Sequence, residues 1–402
     1  MIENNINPSV HTALGVRDIY GEECAYKNKL QHIIHKVFKS YGFYDIQTPA
    51  FEFFDVFAKE KGTVPSNQMF KFFDRDNNTL VLRPDITPSV ARCIAKYYKD
   101  EEFEIRMSYI GNTFVNVPPY KGKLQEVTQA GIELFNDDTS DADAEMISIA
   151  CECLLKCGLE EFQVELGHAD FIKGLFEEAG FDKENGDKIK ELIQTKNFFG
   201  VEDMLDKLTV SEDIKNIFLN LPKLQDDFHT SAENIEKVTK NDKILNALDR
   251  LKKVYALLEK HGVSKYITID LSEFSTYEYY TGVIFKAYTY GSGEALLSGG
   301  RYDSLVGQFG KNVPAIGVAI TVDELVNAAV RHGNIKSDDY GCTIILYDRD
   351  NVDEALSKAK SLRENGENIR TIRKSSRKDM SAYEEYAKRI NAKELIYIGG
   401  LA

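Results

Sequence analysis

Apolar residues recur at helical spacing through Leu30, Ile33, Ile34, Val37 and Phe38, which predicts an amphipathic helix over residues 21–42. Glu22 and Glu23 fall in its first turn, where carboxylates offset the positive end of the helix dipole, and Gly42 ends it. Residues 43–48 then read as a strand stopped by Pro49. Turn residues between the apolar runs Phe70–Phe73 and Thr79–Leu82 predict a hairpin, followed by a helix over 88–98. Strands are expected at 106–114 and 126–135, joined by a loop holding Pro118, Pro119 and Gly122. Residues 141–158 read as a helix and 162–167 as a strand. From Ala169 to Gly262 the pattern becomes almost wholly helical, most clearly at Ile244, Leu245, Leu248, Leu251, Tyr255 and Leu258. Strands return at 266–271, 277–290 and 294–298, so a helical block is inserted between strands of one sheet. After a loop near 333–340, the alternation of strand (342–347, 369–372, 394–398) and helix (352–365, 381–391) predicts a small βαβαβ unit with a parallel sheet.

Composition narrows the class. The 402 residues, 43% hydrophobic and 28% charged, suit two or three globular domains and exclude wholesale disorder. No apolar run approaches the ~20 residues that span a bilayer, and Met1-Ile2-Glu3-Asn4-Asn5 begins no secretory signal, so a cytoplasmic protein without membrane contact is expected. Six cysteines are sparse. On a helix Cys151 points away from Cys153 and Cys157, so reduced thiols are expected and no metal site. The net charge of −14 argues against tRNA as a partner, since phosphate contacts need a basic stripe. From Arg331 onward there are 14 Lys+Arg against 12 Asp+Glu, so all the excess acid lies before that point.

Three polar clusters interrupt otherwise ordinary elements. Leu82-Arg83-Pro84-Asp85-Ile86-Thr87-Pro88 sets a carboxylate and a hydroxyl two apart at a strand-to-helix junction. Gln129-Ala130-Gly131-Ile132-Glu133 puts an amide and a carboxylate on one strand face. Tyr277-Glu278-Tyr279-Tyr280-Thr281-Gly282 is followed by Ser298-Gly299-Gly300-Arg301-Tyr302-Asp303, whose glycines either admit a ligand to the backbone or make a tight turn. Each alone is better explained by a helix cap, a solvated face or a turn. None pairs a nucleophile with a base, so no catalytic residue is assigned. The seven histidines are scattered, there is no phosphate loop, and Gly291-Ser292-Gly293 lacks the third glycine of a dinucleotide fingerprint, so no cofactor is expected.

Taken in order, however, these segments resemble histidyl-tRNA synthetase. Ala13-Leu14-Gly15-Val16-Arg17-Asp18, Leu82–Thr87, Tyr109-Ile110-Gly111, Gln129–Glu133, Tyr279-Tyr280-Thr281 and Gly299–Asp303 carry the likeness over most of residues 10–330. Arg373-Lys374-Ser375-Ser376-Arg377-Lys378-Asp379-Met380 and Tyr386-Ala387 resemble the same enzyme's anticodon-binding domain, cut short. The resemblance implies an α+β fold: a class II synthetase-like antiparallel sheet flanked by helices over 1–330, a helical insertion at about 168–263, and a truncated α/β domain over 340–402. Phe43–Pro49 resembles the family's dimer-forming element and implies a homodimer.

Departures from the family pattern decide what the resemblance implies for function. Where the synthetase reads Phe-Arg-His-Glu this chain has Phe114-Val115-Asn116-Val117, and where it reads Gly-Leu-Glu-Arg this chain has Thr321-Val322-Asp323-Glu324. The arginine before the tyrosine pair is Ser275. Two phosphate-clamping arginines and one polarising arginine are thus absent. Losing one preorganised donor costs roughly 3–4 kcal/mol of transition-state stabilisation, so aminoacylation is expected to be lost. The family's histidine-binding groups map to Asp85, Thr87, Gln129, Glu133, Tyr280 and Tyr302, with only Asp85 changed, from Glu. Holding histidine without activating it resembles the synthetase-like regulatory subunits of ATP phosphoribosyltransferase. These act with a short catalytic subunit in the first step of histidine biosynthesis, where histidine feeds back. Two other readings stay open at this point, a divergent active synthetase and a stand-alone histidine sensor.

Overall fold

A computed structural model of the chain describes residues 10–58, 64–118, 123–223, 228–273, 279–331 and 341–400. The protein forms two compact units, residues 1–334 and 335–402. The predicted first helix is α1 (Gly21–Ser40), which buries Tyr26, Leu30, Ile34, Val37 and Phe38. The strand expected at 43–48 shortens to β1 (Tyr44–Asp45). A small antiparallel sheet follows, with β2 (Phe51–Phe53), α2 (Asp55–Ala58), β3 (Lys71–Phe73) and β4 (Thr79–Leu82), in the order β2-β4-β3. Next come α3 (Thr87–Tyr97), the long pair β5 (Ile105–Phe114) and β6 (Glu126–Phe135), α4 (Ser140–Lys156) and β7 (Gln163–His168).

The helical insertion is present as α5 (Ala169–Ala179), α6 (Lys183–Gln194), α7 (Phe198–Leu205), α8 (Glu212–Asn220), α9 (Phe228–Val238) and α10 (Asp242–Lys260). Side chains of Asp182, Asn197, Ser211 and Asn241 cap four of these helices by accepting backbone N–H bonds. The chain then returns to the sheet through β8 (Ile267–Ile269), β9 (Val283–Tyr288), β10 (Leu297–Arg301) and β11 (Ala315–Thr321), and α11 (Val322–Arg331) closes the unit.

The main sheet has eight strands in the order β1-β5-β6-β11-β10-β9-β7-β8. It is antiparallel except at its two ends, where β1 pairs with β5 and β8 with β7 in parallel. Three differences from the sequence pattern have physical causes. β11 carries no alternation in sequence because Ala315-Ile316-Gly317-Val318-Ala319-Ile320 lies mid-sheet and is covered on both faces, whereas α11, with Val322, Leu325, Val326 and Ala329 at helical spacing, is an element the pattern reading passed over. The last predicted strand slides from 294–298 to Leu297–Arg301, so Gly299 and Gly300 are strand interior, not a turn. Tyr279–Gly282 are irregular, and Tyr277 and Glu278 lie outside the described residues.

The second unit has β12 (Thr343–Tyr347), α12 (Val352–Glu364), β13 (Ile369–Arg373), α13 (Met380–Arg389) and β14 (Glu394–Ile398). Its three strands are parallel in the order β13-β12-β14, around a core of Ile345, Ala355, Ala359 and Ile398. All six cysteines are unbridged, and burial within or beside α4 pushes the thiols of Cys151, Cys153 and Cys157 upward. No helix among the described residues is long and apolar enough to cross a membrane.

Candidate functional site

Strand alternation on β6 sends Gln129, Gly131 and Glu133 to one face, where the centre of the sheet meets the start of α3. Glu133 is 1% exposed, and three hydroxyls surround its carboxyl group. Thr87 Oγ1 donates to Oε1 at 2.6 Å, Tyr109 Oη donates to Oε1 at 3.4 Å, and the Tyr302 hydroxyl donates to Oε2. This crowding depends on Gly317, which faces Glu133 across β11. A Cβ there would lie 1.7 Å from Glu133 Oε2, so no other residue fits beside the carboxyl. Gly131, opposite Tyr109, makes the same room for the tyrosine ring.

Asp85 is set by the chain reversal between β4 and α3. Its Oδ1 accepts the Ile86 N–H at 2.7 Å, and Pro88 in the first helical turn has no N–H to leave unpaired. Beneath it, buried Arg83 donates to backbone carbonyls of Asn112 (2.8 Å) and Thr48 (2.7 Å), tying β5 and the segment after β1 to the junction. Burial pushes the Asp85 carboxyl up to about 6 although the Ile86 and Thr87 N–H groups pull it down. Burial pushes Glu133 further, to about 8, and the neighbouring Asp85 charge adds to this against the hydroxyl donors. Burial thus disfavours the ionised form of both carboxyls, and that of Glu133 more than that of Asp85.

All six residues singled out from the sequence converge. Asp85, Thr87, Gln129, Glu133, Tyr280 and Tyr302 line a single cavity of about 20 Å³, together with Tyr279, Ser298 and Gly317. That volume admits about one water molecule, so the side chains around Glu133 leave little free space between them. Tyr279 stands edge-on to Tyr302, with centroids 5.8 Å apart, and Tyr302 is edge-on to Phe135 at 6.3 Å, which fixes the tyrosine wall. Gln129 Oε1 is buried without a hydrogen-bond partner among the described residues. Tyr109 and Gly317 were not among the sequence candidates. The motif Tyr109-Ile110-Gly111 was visible, but only the cross-strand register places it against Glu133.

Past Tyr280 and Ser298, which line both, lies a larger cavity of about 610 Å³ bounded by Lys123, Glu273, Lys286, Glu294, Thr321 and Glu324 among others. Its two lysines are engaged: Lys123 Nζ lies 2.7 Å from Glu294 Oε1, and Lys286 pairs with Glu273. Ser275 is outside the described residues. Glu165, Asp270 and Glu273 bring oxygens within 4.8 Å of one another, but Lys196 (2.9 Å from Asp270 Oδ2) and Lys286 neutralise them, which makes the trio an ion-pair network.

Residues 15–325 match the family model described as histidyl-tRNA synthetase. The chain is 38% identical over 357 residues to an ATP phosphoribosyltransferase regulatory subunit of Acetivibrio thermocellus, covering 89% of this chain and 85% of that protein. It is 34% identical over 387 residues to one of Geobacter metallireducens, covering 96% and 88%. Among solved structures, an ATP phosphoribosyltransferase regulatory subunit/histidyl-tRNA synthetase from Bacillus halodurans superposes with a TM-score of 0.86 at 29% identity, over 98% of this chain and 99% of that one. Histidyl-tRNA synthetase from Nostoc sp. PCC 7120, at 20% identity and a TM-score of 0.82, over 97% and 92%, shares the fold.

Proposed function

Since the chain belongs to the histidyl-tRNA synthetase-like family and, within it, to the ATP phosphoribosyltransferase regulatory subunits, we propose that it is the non-catalytic subunit of that transferase. In this reading it acts in the cytoplasm on the first step of histidine biosynthesis, supports the activity of a short catalytic subunit, and carries the histidine feedback site. Asp85 and Thr87 would take the α-ammonium group, Glu133 and Tyr302 the imidazole nitrogens, and Gln129 and Tyr280 the remaining wall.

The observation that carries the reading is the contrast between the two cavities. The small one keeps a complete set of buried carboxyls and hydroxyls suited to an ammonium and an imidazole. The large one offers a nucleoside triphosphate no unpaired cation among the described residues and confronts it with Glu324. Aminoacylation is lost on this account, and tRNA is not a partner. Because the small cavity has room for about one water molecule, histidine seats beside Glu133 only as the hydroxyls around that carboxyl shift, with imidazole N–H taking the place of a hydroxyl donor. A ligand that binds the shifted arrangement alone draws the protein towards it, and this is the form feedback takes.

Mixing the purified chain with the organism's short ATP phosphoribosyltransferase tests the reading. Transferase activity is expected to rise on mixing and to fall again as histidine is added, while the chain alone supports no histidine-dependent pyrophosphate–ATP exchange. Activity indifferent to the chain would refute the regulatory role, and exchange would restore the synthetase reading.

A further inference from the structure

A separate cavity of about 390 Å³ lies where the helical insertion meets the ends of β7, β9 and β10, and it shares no lining residue with the two cavities that meet at Tyr280. Its size falls in the range of roughly 300–1,000 Å³ usual for small-molecule sites. Three helices begin at its wall, at Ser140 of α4, Asp170 of α5 and Lys243 of α10. Their positive ends favour an anion, but Thr139, His168 and Asn241 already cap them, and the helix ends alone make no site.

His168 adds an independent pointer to a ligand. It lines the cavity and is only 9% exposed. Its Nδ1 accepts the Asp170 N–H at 3.2 Å, so the neutral ring carries its proton on Nε2. Burial keeps the ring neutral by pushing it down to about 4. Nε2–H is thus a fixed donor, and it has no acceptor among the described residues. Beside it, Arg250 gives Nε to Asp143 and Nη2 to the Thr139 carbonyl, which leaves Nη1. Lys243 and Lys253 sit in exposed pairs with Glu177 and Asp249, weak enough to be exchanged for a ligand.

Asp138, Asn246 and Asp249 line the same cavity. Carboxylates repel a bare anion but accept hydrogen bonds from hydroxyls. Cationic donors and carboxylate acceptors side by side therefore suit a molecule carrying both a phosphate and several hydroxyls. We propose that this cavity binds a phosphorylated sugar, its phosphate on His168 Nε2–H, Arg250 and the start of α5, its hydroxyls on Asp138, Asn246 and Asp249. The inference does not depend on the histidine reading.

Titration calorimetry of the full chain with D-ribose 5-phosphate, D-glucose 6-phosphate, D-ribose and D-gluconate provides the test. At least one of the two phosphates is expected to bind once per chain, tenfold or more tighter than ribose and gluconate, which have the hydroxyls without the phosphate. His168→Asn keeps a side-chain acceptor for the α5 cap but loses the Nε2 donor, and is expected to weaken binding by tenfold or more at an unchanged melting temperature. Should that variant fail to fold, Lys253→Glu, on an exposed side chain, is expected to weaken binding about fivefold. Failure of both phosphates to bind would overturn the proposal. Gluconate binding as tightly as the phosphates would do the same, as would undiminished binding by the folded variant.

Discussion

Glu133 shows how one side chain can set the pH response of the fold. Its carboxyl is walled in by Thr87, Tyr109 and Tyr302, and burial raises it to about 8. Between its ordinary value and that one, the folded protein keeps a proton that the unfolded chain has given up. Stability is therefore full in acid and falls as pH rises through this window, by at most about 1.4 kcal/mol per pH unit from this group. Asp85, raised to about 6, acts in the same direction over a lower window. Glu133→Gln, which mimics the protonated acid, is expected to remove the part of the decline between pH 6 and pH 8, read by urea unfolding at both values. A variant that declines as steeply as the parent would mean that Glu133 is ionised in the fold. The four-residue spacing of Gln129 and Glu133 made their shared face legible in sequence, and Asp85-x-Thr87 was legible as a polar junction. The crowding that raises Glu133 was not, because Tyr109, Tyr302 and Gly317 reach it from three other strands or loops.

At the scale of elements, the sheet, α4 and the insertion are joined through one carboxylate. Asp143, wholly buried in the first turn of α4, accepts from Arg301 of β10 at 2.6 and 2.9 Å and from Arg250 of α10 at 2.6 Å. Asp143→Ala leaves buried Arg301 with only the Asp137 carbonyl (2.9 Å) and Asp303 (3.3 Å), and a loss of about 3 kcal/mol is expected on unfolding by denaturant. A loss under about 1 kcal/mol would mean that solvent reaches both arginines. Local pattern predicted the helices well because each presents one apolar stripe, as α1 and α10 do. It failed at β11, where small residues buried on both faces leave no period to read. It left Gly299-Gly300 open between a turn and a close approach, since a glycine pair looks alike in a turn and in a strand that gives up side chains to admit neighbouring rings.

For the whole molecule, the clearest unsatisfied surface is aromatic. Phe51, Phe53 and Phe72 share one face of the small sheet at 52%, 56% and 36% exposure, and Tyr44 of β1 is 71% exposed. A second copy of the chain is the proposed cover, since Phe43–Pro49 resembles the dimer-forming element of the synthetases and large exposed apolar patches are uncommon on monomers. The double variant Phe53→Lys with Phe72→Glu is expected to run as a monomer in size-exclusion chromatography with light scattering, and the parent is expected to run as a dimer. A dimeric variant would move the interface elsewhere.

The sequence by itself determined the helical insertion, the parallel βαβαβ tail, the family, and the six polar residues that meet in one cavity. Each of these is encoded by local periodicity or by short ordered motifs, which need no knowledge of distant neighbours. Only the tertiary structure decided that Glu133 is buried among three hydroxyls, that Gly317 is what lets the carboxyl sit there, and that both lysines of the adjoining cavity are already paired. Those properties depend on cross-strand register and on burial, and both arise between residues tens to hundreds of positions apart.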